Sequence, residues 1–186
     1  GGIFYREVVC DVLQWILTGA VLLALFWVYG RQLVLTYGYR ASDIPVHLNW
    51  INQMSGGNLF VSGVYPFGFH CMIYYLHTVF RIDTYMILCL FYLVQVFFIH
   101  MVFLAMLKML CKSKYLPYAG TLICILGGFW ARQTYSRFYS SLPQEFGMIF
   151  VIPSVYFLIR FFQIEKEQLK TKETKIILGN FALAFS

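Results

Sequence analysis

The chain has 186 residues, of which 60% are hydrophobic, 20% aromatic and only 12% charged. A soluble domain usually carries about a quarter charged residues, so this composition excludes a water-soluble protein. It also excludes a disordered chain, because disorder requires low hydrophobicity. The formal net charge of +6 is small and concentrated in particular loops, so it indicates membrane orientation rather than nucleic-acid binding.

Uncharged apolar stretches long enough to cross a bilayer core of about 30 Å predict four membrane helices. The predicted spans are 12–29, 84–107, 115–131 and 146–162, and a fifth apolar run at 176–186 is too short to span. The fold class is therefore an all-α polytopic transmembrane bundle. Because the chain starts at Gly1 and stops inside an apolar run, we expect an N-terminal fragment whose remaining part completes the protein.

The lysines orient this set of helices. All seven lie in two short loops, one after the second span and one after the fourth. The positive-inside rule places both loops in the cytoplasm, with the N-terminus on the same side. The segment 30–83 is then a long first outer loop, and nine Lys and Arg residues lie inside against five outside.

The segment 59–80 is also uncharged and long enough to span. Counting it as a span would put ten basic residues inside and four outside, so charge does not decide. Gly, Pro and His residues interrupt it, and only three residues would turn the chain before the next span. We therefore expect an interfacial or re-entrant element rather than a span.

The outer loop begins with signals for a short amphipathic helix. Asp43 and Pro45 favour its start, and Gly56 with Gly57 favours its end. On such a helix Asp43 and His47 share one side, because they are four residues apart. The following turn contains Tyr65 and leads into an aromatic-rich helical run that begins near His70.

Ordinary structural roles compete with any site here. Asp43 alone is best explained as a helix cap, and the histidines as interfacial or hydrogen-bonded helix residues. Gln95 and His100, inside the second span, are expected to pair with another helix. The five cysteines are scattered without metal spacing, so we expect neither a disulfide nor a zinc site.

Two stretches of the outer loops resemble a known pattern. The residues Ser-Asp-Ile-Pro-Val-His-Leu at 42–48 and Tyr-Pro-Phe-Gly-Phe-His at 65–70 are similar to the Asp-x-x-x-His and Tyr-Pro-x-Gly-x-His pattern of bacterial GT-C-like membrane proteins. Ser-Leu-Pro-Gln-Glu-Phe-Gly at 141–147 lies where that class often carries another acid. The chain therefore resembles the polytopic GT-C glycosyltransferases. The paired acids sometimes seen in those loops are replaced here by single ones, Asp43 and Glu145.

The resemblance implies transfer of a sugar from a polyprenyl phosphate to an acceptor at the outer face of a bacterial cytoplasmic membrane. Asp43 would be the general base, and His47 would orient it or the acceptor. The other substrate-binding candidates are His70, Tyr65 and Glu145, of which Glu145 would hold the acceptor or a divalent cation. The candidates for the leaving phosphate are Arg132 and Arg137, because a planar guanidinium suits phosphate.

Two other classes of function fit the same composition. One is a transporter or flippase without covalent chemistry, in which the same outer residues bind a headgroup. The other is a non-catalytic membrane assembly subunit. Ionisable residues inside spans usually mark transport pathways, and the first two spans hold none apart from His100. That scarcity counts against an ion-coupled transporter.

Overall fold

The computed structural model describes residues 2–35, 38, 43–61, 67–131, 136–163 and 172–185. These residues form helices and short connections, without a strand among them, which confirms the all-α fold class. The helices are α1 (Gly2–Leu25), α2 (Arg31–Leu35), α3 (Ile44–Ser55), α4 (Gly68–Phe80), α5 (Thr84–Leu110), α6 (Leu116–Trp130), α7 (Pro143–Phe162) and α8 (Lys172–Phe185). A π-helical segment, Phe26–Gly30, joins α1 to α2, and a 3₁₀ turn, Ser136–Tyr139, precedes α7.

Three helices of the described residues are long and apolar enough to cross a membrane. They are Val9–Leu35, Thr84–Leu110 and Pro143–Phe162. The predicted third span is a helix, α6, but its 15 residues extend only about 22 Å. The final apolar run is also helical, as the 14-residue α8. Both are apolar helices shorter than a bilayer core.

The first membrane helix is longer than its apolar pattern predicts. The helix does not end at Tyr29 but continues through the π-helical segment to Leu35. The first six residues assigned to the outer loop therefore belong to this helix. Arg31 ended the uncharged run, yet its guanidinium carbon lies 5.0 Å from the ring centroid of Trp27 and 4.8 Å from that of Phe129. These aromatic faces stabilise the charge, so the helix need not end there.

The bundle is organised around α5. In the most apolar 18-residue window of each helix, 56% of the α5 residues are buried, compared with 11% for Val9–Leu35 and 17% for α7. Helices α3, α4, α6 and α7 and the 3₁₀ turn all pack against α5. The remaining apolar surface of the outer-layer helices is exposed, as expected where lipid is the solvent.

Helix α6 meets the first membrane helix at a close contact between Gly128 and Tyr29. A Cβ atom on Gly128 would lie 2.4 Å from the Tyr29 hydroxyl oxygen and 2.9 Å from Cζ. The Tyr92 hydroxyl of α5 donates to the Tyr29 carbonyl at 3.1 Å, and the Tyr139 hydroxyl donates to the Gly128 carbonyl at 3.0 Å. The glycine thus permits an approach that two hydrogen bonds then fix.

The outer segment forms two short helices. The predicted signals hold for α3, with Pro45 in its first turn and Gly56 at its C-terminal cap. Helix α4 ends at Phe80, and its C-terminal cap residue, Arg81, has a left-handed φ of 54°. His77 Nδ1 donates to the Ile82 carbonyl at 2.7 Å. The 13 residues of α4 extend about 20 Å. That length fits an interfacial element better than a complete span, as we expect for 59–80.

We predict that Gly128→Ala destabilises the protein by about 1–3 kcal/mol, because its methyl group would overlap the fully buried Tyr29 ring. Thermal unfolding in detergent, followed by circular dichroism, measures this loss. Gly147→Ala is the matched control, because its Cβ meets nothing within 4 Å. Adding Tyr29→Phe to Gly128→Ala should recover part of the loss, and equal melting temperatures for both single variants would contradict the prediction.

Candidate functional site

The two predicted outer segments meet near the N-terminal end of α5. Ile44, Phe69 and Leu142 belong to one buried apolar cluster with Ile87, Leu88 and Phe91 of α5. Phe69 also contacts the Phe146 ring, with 6.0 Å between centroids. Ile44 follows Asp43, Phe69 precedes His70, and Leu142 lies three residues before Glu145. The cluster therefore brings the candidate residues of the first predicted outer loop close to those of the second.

His47 and His70 form the centre of this site. Nδ1 of His47 and Nε2 of His70 are 2.9 Å apart, within hydrogen-bond distance, and the residues are only 4% and 0% exposed. The Trp50 ring covers both imidazoles at centroid distances of 5.5 Å and 5.4 Å. In such a pair one nitrogen donates and the other accepts, so the accepting imidazole must be neutral.

The electrostatics of the pair agree with this arrangement. Burial lowers the pKa of His47 below its usual range, although the nearby Asp43 carboxylate opposes the shift. Burial also lowers the pKa of His70 to about 4, and the charge of a protonated His47 acts in the same direction. Both imidazoles are therefore neutral at pH 7, and burial makes each a weaker proton acceptor than an exposed histidine.

Asp43 occupies the N-cap position of α3, but its side chain does not cap the helix. Its backbone carbonyl accepts from the amides of Val46 and His47 at 3.0 and 3.1 Å, while the carboxylate is exposed beside His47. Asp83 shows what a capping carboxylate looks like, because its side chain accepts from the Met86 amide at 3.0 Å. The simple capping explanation therefore describes Asp83 better than Asp43.

Glu145 and Arg137 form an ion pair beside the same cluster. Arg137 Nε lies 2.5 Å from Glu145 Oε1, its Nη2 lies 3.3 Å from Oε2, and Nη2 also donates to Gln144 at 2.7 Å. The Glu145 side chain is 8% exposed and that of Arg137 is 50% exposed. The carboxylate thus holds a guanidinium that is still accessible from solvent.

Two of the predicted site residues, Tyr65 and Arg132, lie outside the described residues. The structure brings Asp43, His47 and His70 together and pairs Arg137 with Glu145. Among the residues that were described, no group of three His, Cys, Asp or Glu side chains could hold a metal ion. The described side chains therefore offer no ready site for the divalent cation that the resemblance allows.

The expected partners of Gln95 and His100 differ from those in the structure. Gln95 Nε2 donates to the Leu142 carbonyl at 2.7 Å, in the connection before α7 rather than in a helix. His100 Nδ1 donates to the Val96 carbonyl of its own helix at 2.7 Å. Its ring packs on Tyr29, with 5.6 Å between centroids. His100 therefore makes this hydrogen bond within α5 rather than to another helix.

Sequence reasoning missed two buried hydroxyls in this region. Ser140 and Ser141 are 3% and 0% exposed, and their Oγ atoms have no hydrogen-bond partner among the described residues. They lie between Arg137 and Glu145 along the chain. The only indication in the sequence was that these two consecutive serines lie close to Glu145.

In comparisons with known proteins, no family model, no curated sequence and no solved structure matches this chain. The resemblance to GT-C glycosyltransferases therefore depends on the predicted arrangement of spans and loops and on the outer-loop motifs. Any function must be argued from the arrangement of these side chains.

We predict that lowering the pH from 7 to 4.5 reduces the free energy of unfolding by about 1–3 kcal/mol through the histidine pair. The unfolded chain binds a proton at each imidazole below about pH 6.5, whereas folded His70 remains neutral until about pH 4. Melting temperatures across this pH range measure the effect. His70→Gln should make the dependence shallower, while His77→Gln on the same helix should not. Parallel profiles for all three proteins would contradict this assignment.

We also predict that Arg137→Gln destabilises the protein by about 2 kcal/mol and Glu145→Gln by less than about 1 kcal/mol. Losing Arg137 leaves the buried Glu145 carboxylate without its guanidinium, whereas losing Glu145 leaves an arginine that water can reach. Thermal unfolding of both variants and of the double variant measures this asymmetry. The double variant should resemble Glu145→Gln. Equal losses for the two single variants would show that burial of Glu145 is not the cause.

Proposed function

We propose that this protein is a membrane glycosyltransferase that moves a sugar from a polyprenyl phosphate to an acceptor hydroxyl at the outer membrane face. The observation that carries this proposal is the grouping of Asp43, His47 and His70, from two outer helices, at the outer end of α5. A carboxylate followed by two neutral imidazoles is suited to receive a proton from a hydroxyl group.

In the proposed reaction the acceptor oxygen attacks the anomeric carbon of the lipid-linked sugar. A bond forms between that oxygen and the carbon, and the bond from the carbon to the phosphate oxygen breaks. The electron pair leaves with the lipid phosphate, and the hydroxyl proton passes to Asp43. Asp43 suits this role because its carboxylate is exposed and does not cap α3.

His47 and His70 would act through Asp43. His47 lies one helical turn after Asp43, and its bond to the fully buried His70 fixes the imidazole orientation. Because burial keeps both rings neutral at pH 7, the pair supplies no positive charge that would weaken the base. His47 is therefore a positioning residue in this proposal, and a neutral ring can also accept a hydrogen bond from the acceptor.

Arg137 is the candidate partner of the departing phosphate. Its guanidinium is held by Glu145 and Gln144, yet half of the side chain remains exposed. Planar guanidinium groups bind phosphate oxygens through paired hydrogen bonds. Glu145 would thus orient the arginine rather than bind a metal, and the donor lipid would approach from the surrounding bilayer.

We expect Asp43→Asn to lower sugar transfer about 10²- to 10⁴-fold, the usual contribution of a general base. The assay is transfer of labelled sugar from polyprenyl-phosphate donors by the full-length protein in membranes. Asp83→Asn is the matched control, because it alters another aspartate at a helix N-cap and asparagine caps a helix equally well. The control should retain transfer.

Two results would contradict the proposal. Unchanged transfer by Asp43→Asn would remove Asp43 from the catalytic role. No transfer by the wild-type protein with any donor, together with retained donor binding, would favour a flippase or transporter that recognises the same headgroup.

A further inference from the structure

A polar groove lies at the opposite end of the bundle from the candidate site. It has a volume of about 430 Å³, within the range of about 300–1,000 Å³ that is typical of ligand pockets. It is formed where α1 meets the last turn of α5 and the start of α6. The residues that line it are Asp11, Gln14, Trp15, Thr18, Lys108 and Tyr118. Most of these side chains are polar, although the helices that supply them are apolar.

The groove carries charges of both signs that do not neutralise each other. Asp11 and Lys108 both line it, but they form no ion pair with each other. Lys108 Nζ instead lies 4.5 Å from the centroid of the Tyr118 ring. Asp11 lies inside the first candidate span and is exposed. Because Asp11 is exposed and forms no ion pair with Lys108, its carboxylate is accessible to a cationic group of a ligand.

The groove lies at the depth expected for lipid headgroups. Trp15 is 76% exposed, and tryptophan prefers the boundary between headgroups and acyl chains. Lys108 lies in the last turn of α5, just before the loop that contains Lys112 and Lys114. By the positive-inside rule this end faces the cytoplasm.

The walls of the groove are held in place by contacts between helices. The Thr18 hydroxyl, which donates to the Gln14 carbonyl at 2.8 Å, lies 3.5 Å from the Tyr118 hydroxyl, and Cys10 Sγ lies 3.7 Å from the Tyr115 hydroxyl. Helix α1 also packs along α6. The two charged residues are therefore presented by helices whose relative position is fixed.

We propose that this groove binds the headgroup of an aminophospholipid of the inner leaflet, with its phosphate at Lys108 and its primary ammonium at Asp11. Such a headgroup carries an anion and a cation close together, which matches two groove charges of opposite sign that form no ion pair with each other. A quaternary ammonium cannot donate a hydrogen bond to Asp11, and an anionic headgroup would bring phosphate toward the carboxylate without a cation. The proposal is independent of sugar transfer, because it concerns the other end of the bundle.

Native mass spectrometry of the full-length protein with an equimolar mixture of three phospholipids tests this site. The mixture contains phosphatidylethanolamine, phosphatidylcholine and phosphatidylglycerol. We expect the phosphatidylethanolamine adduct to exceed the phosphatidylcholine adduct about fivefold, a difference of about 1 kcal/mol. Asp11→Asn should abolish this preference, and Lys108→Gln should weaken all three adducts. Lys112→Gln, which alters a lysine outside the groove lining, is the matched control and should change neither result.

Asp11 is exposed, so its variant should fold, and an unchanged circular dichroism spectrum verifies this. Equal adducts of the three lipids with the wild-type protein would overturn the proposal. Preferred binding of phosphatidylglycerol would also overturn it, since the groove would then recognise phosphate alone. A preference for phosphatidylethanolamine that survives Asp11→Asn would locate the lipid elsewhere.

Discussion

Burial of α5 is the constraint on which the rest of the structure depends. In a bilayer, lipid tails are as apolar as leucine, so hydrophobicity alone does not hold helices together. Close packing and hydrogen bonds between elements must do so. The close packing comes from the contact of Gly128 with Tyr29. The hydrogen bonds come from the hydroxyl groups of Tyr92 and Tyr139. These contacts link α5, α6, the π-helical segment and the 3₁₀ turn in one place.

The relative positions of the candidate site residues also depend on α5. Helices α3 and α4 are too short to be fixed by a membrane, and they are positioned by packing on Leu88 and Phe91 near the N-terminal end of α5. The connection before α7 is held to α5 by the bond from Gln95 to the Leu142 carbonyl. A shift of α5 would therefore move the histidine pair and the Arg137–Glu145 pair together. Mutations far from the site, in the core around Tyr29, can disturb it through this helix.

Local signals in the sequence predicted the elements, but not the contacts between them. The start and end of α3 follow from Pro45 and Gly56, whose backbone preferences act within one turn. The contact of His47 with His70 joins residues 23 apart along the chain, and it depends on how α3 and α4 pack. The Arg137–Glu145 pair likewise requires the 3₁₀ turn to reverse onto α7. The extension of the first helix to Leu35 depends on the ring faces of Trp27 and of Phe129 in α6, which stabilise Arg31. Periodicity carries no information on such contacts.

The comparison of Asp43 with Asp83 shows where statistical reasoning about single residues fails. Both are aspartates at helix N-caps, and residue preferences assign both to capping. The Asp83 side chain caps its helix, whereas the Asp43 side chain does not. Helix α3 already has Pro45 in its first turn, and proline lacks one of the amides that a cap would satisfy. The need for a capping side chain is therefore smaller at α3, which leaves the Asp43 carboxylate beside a buried, neutral histidine pair.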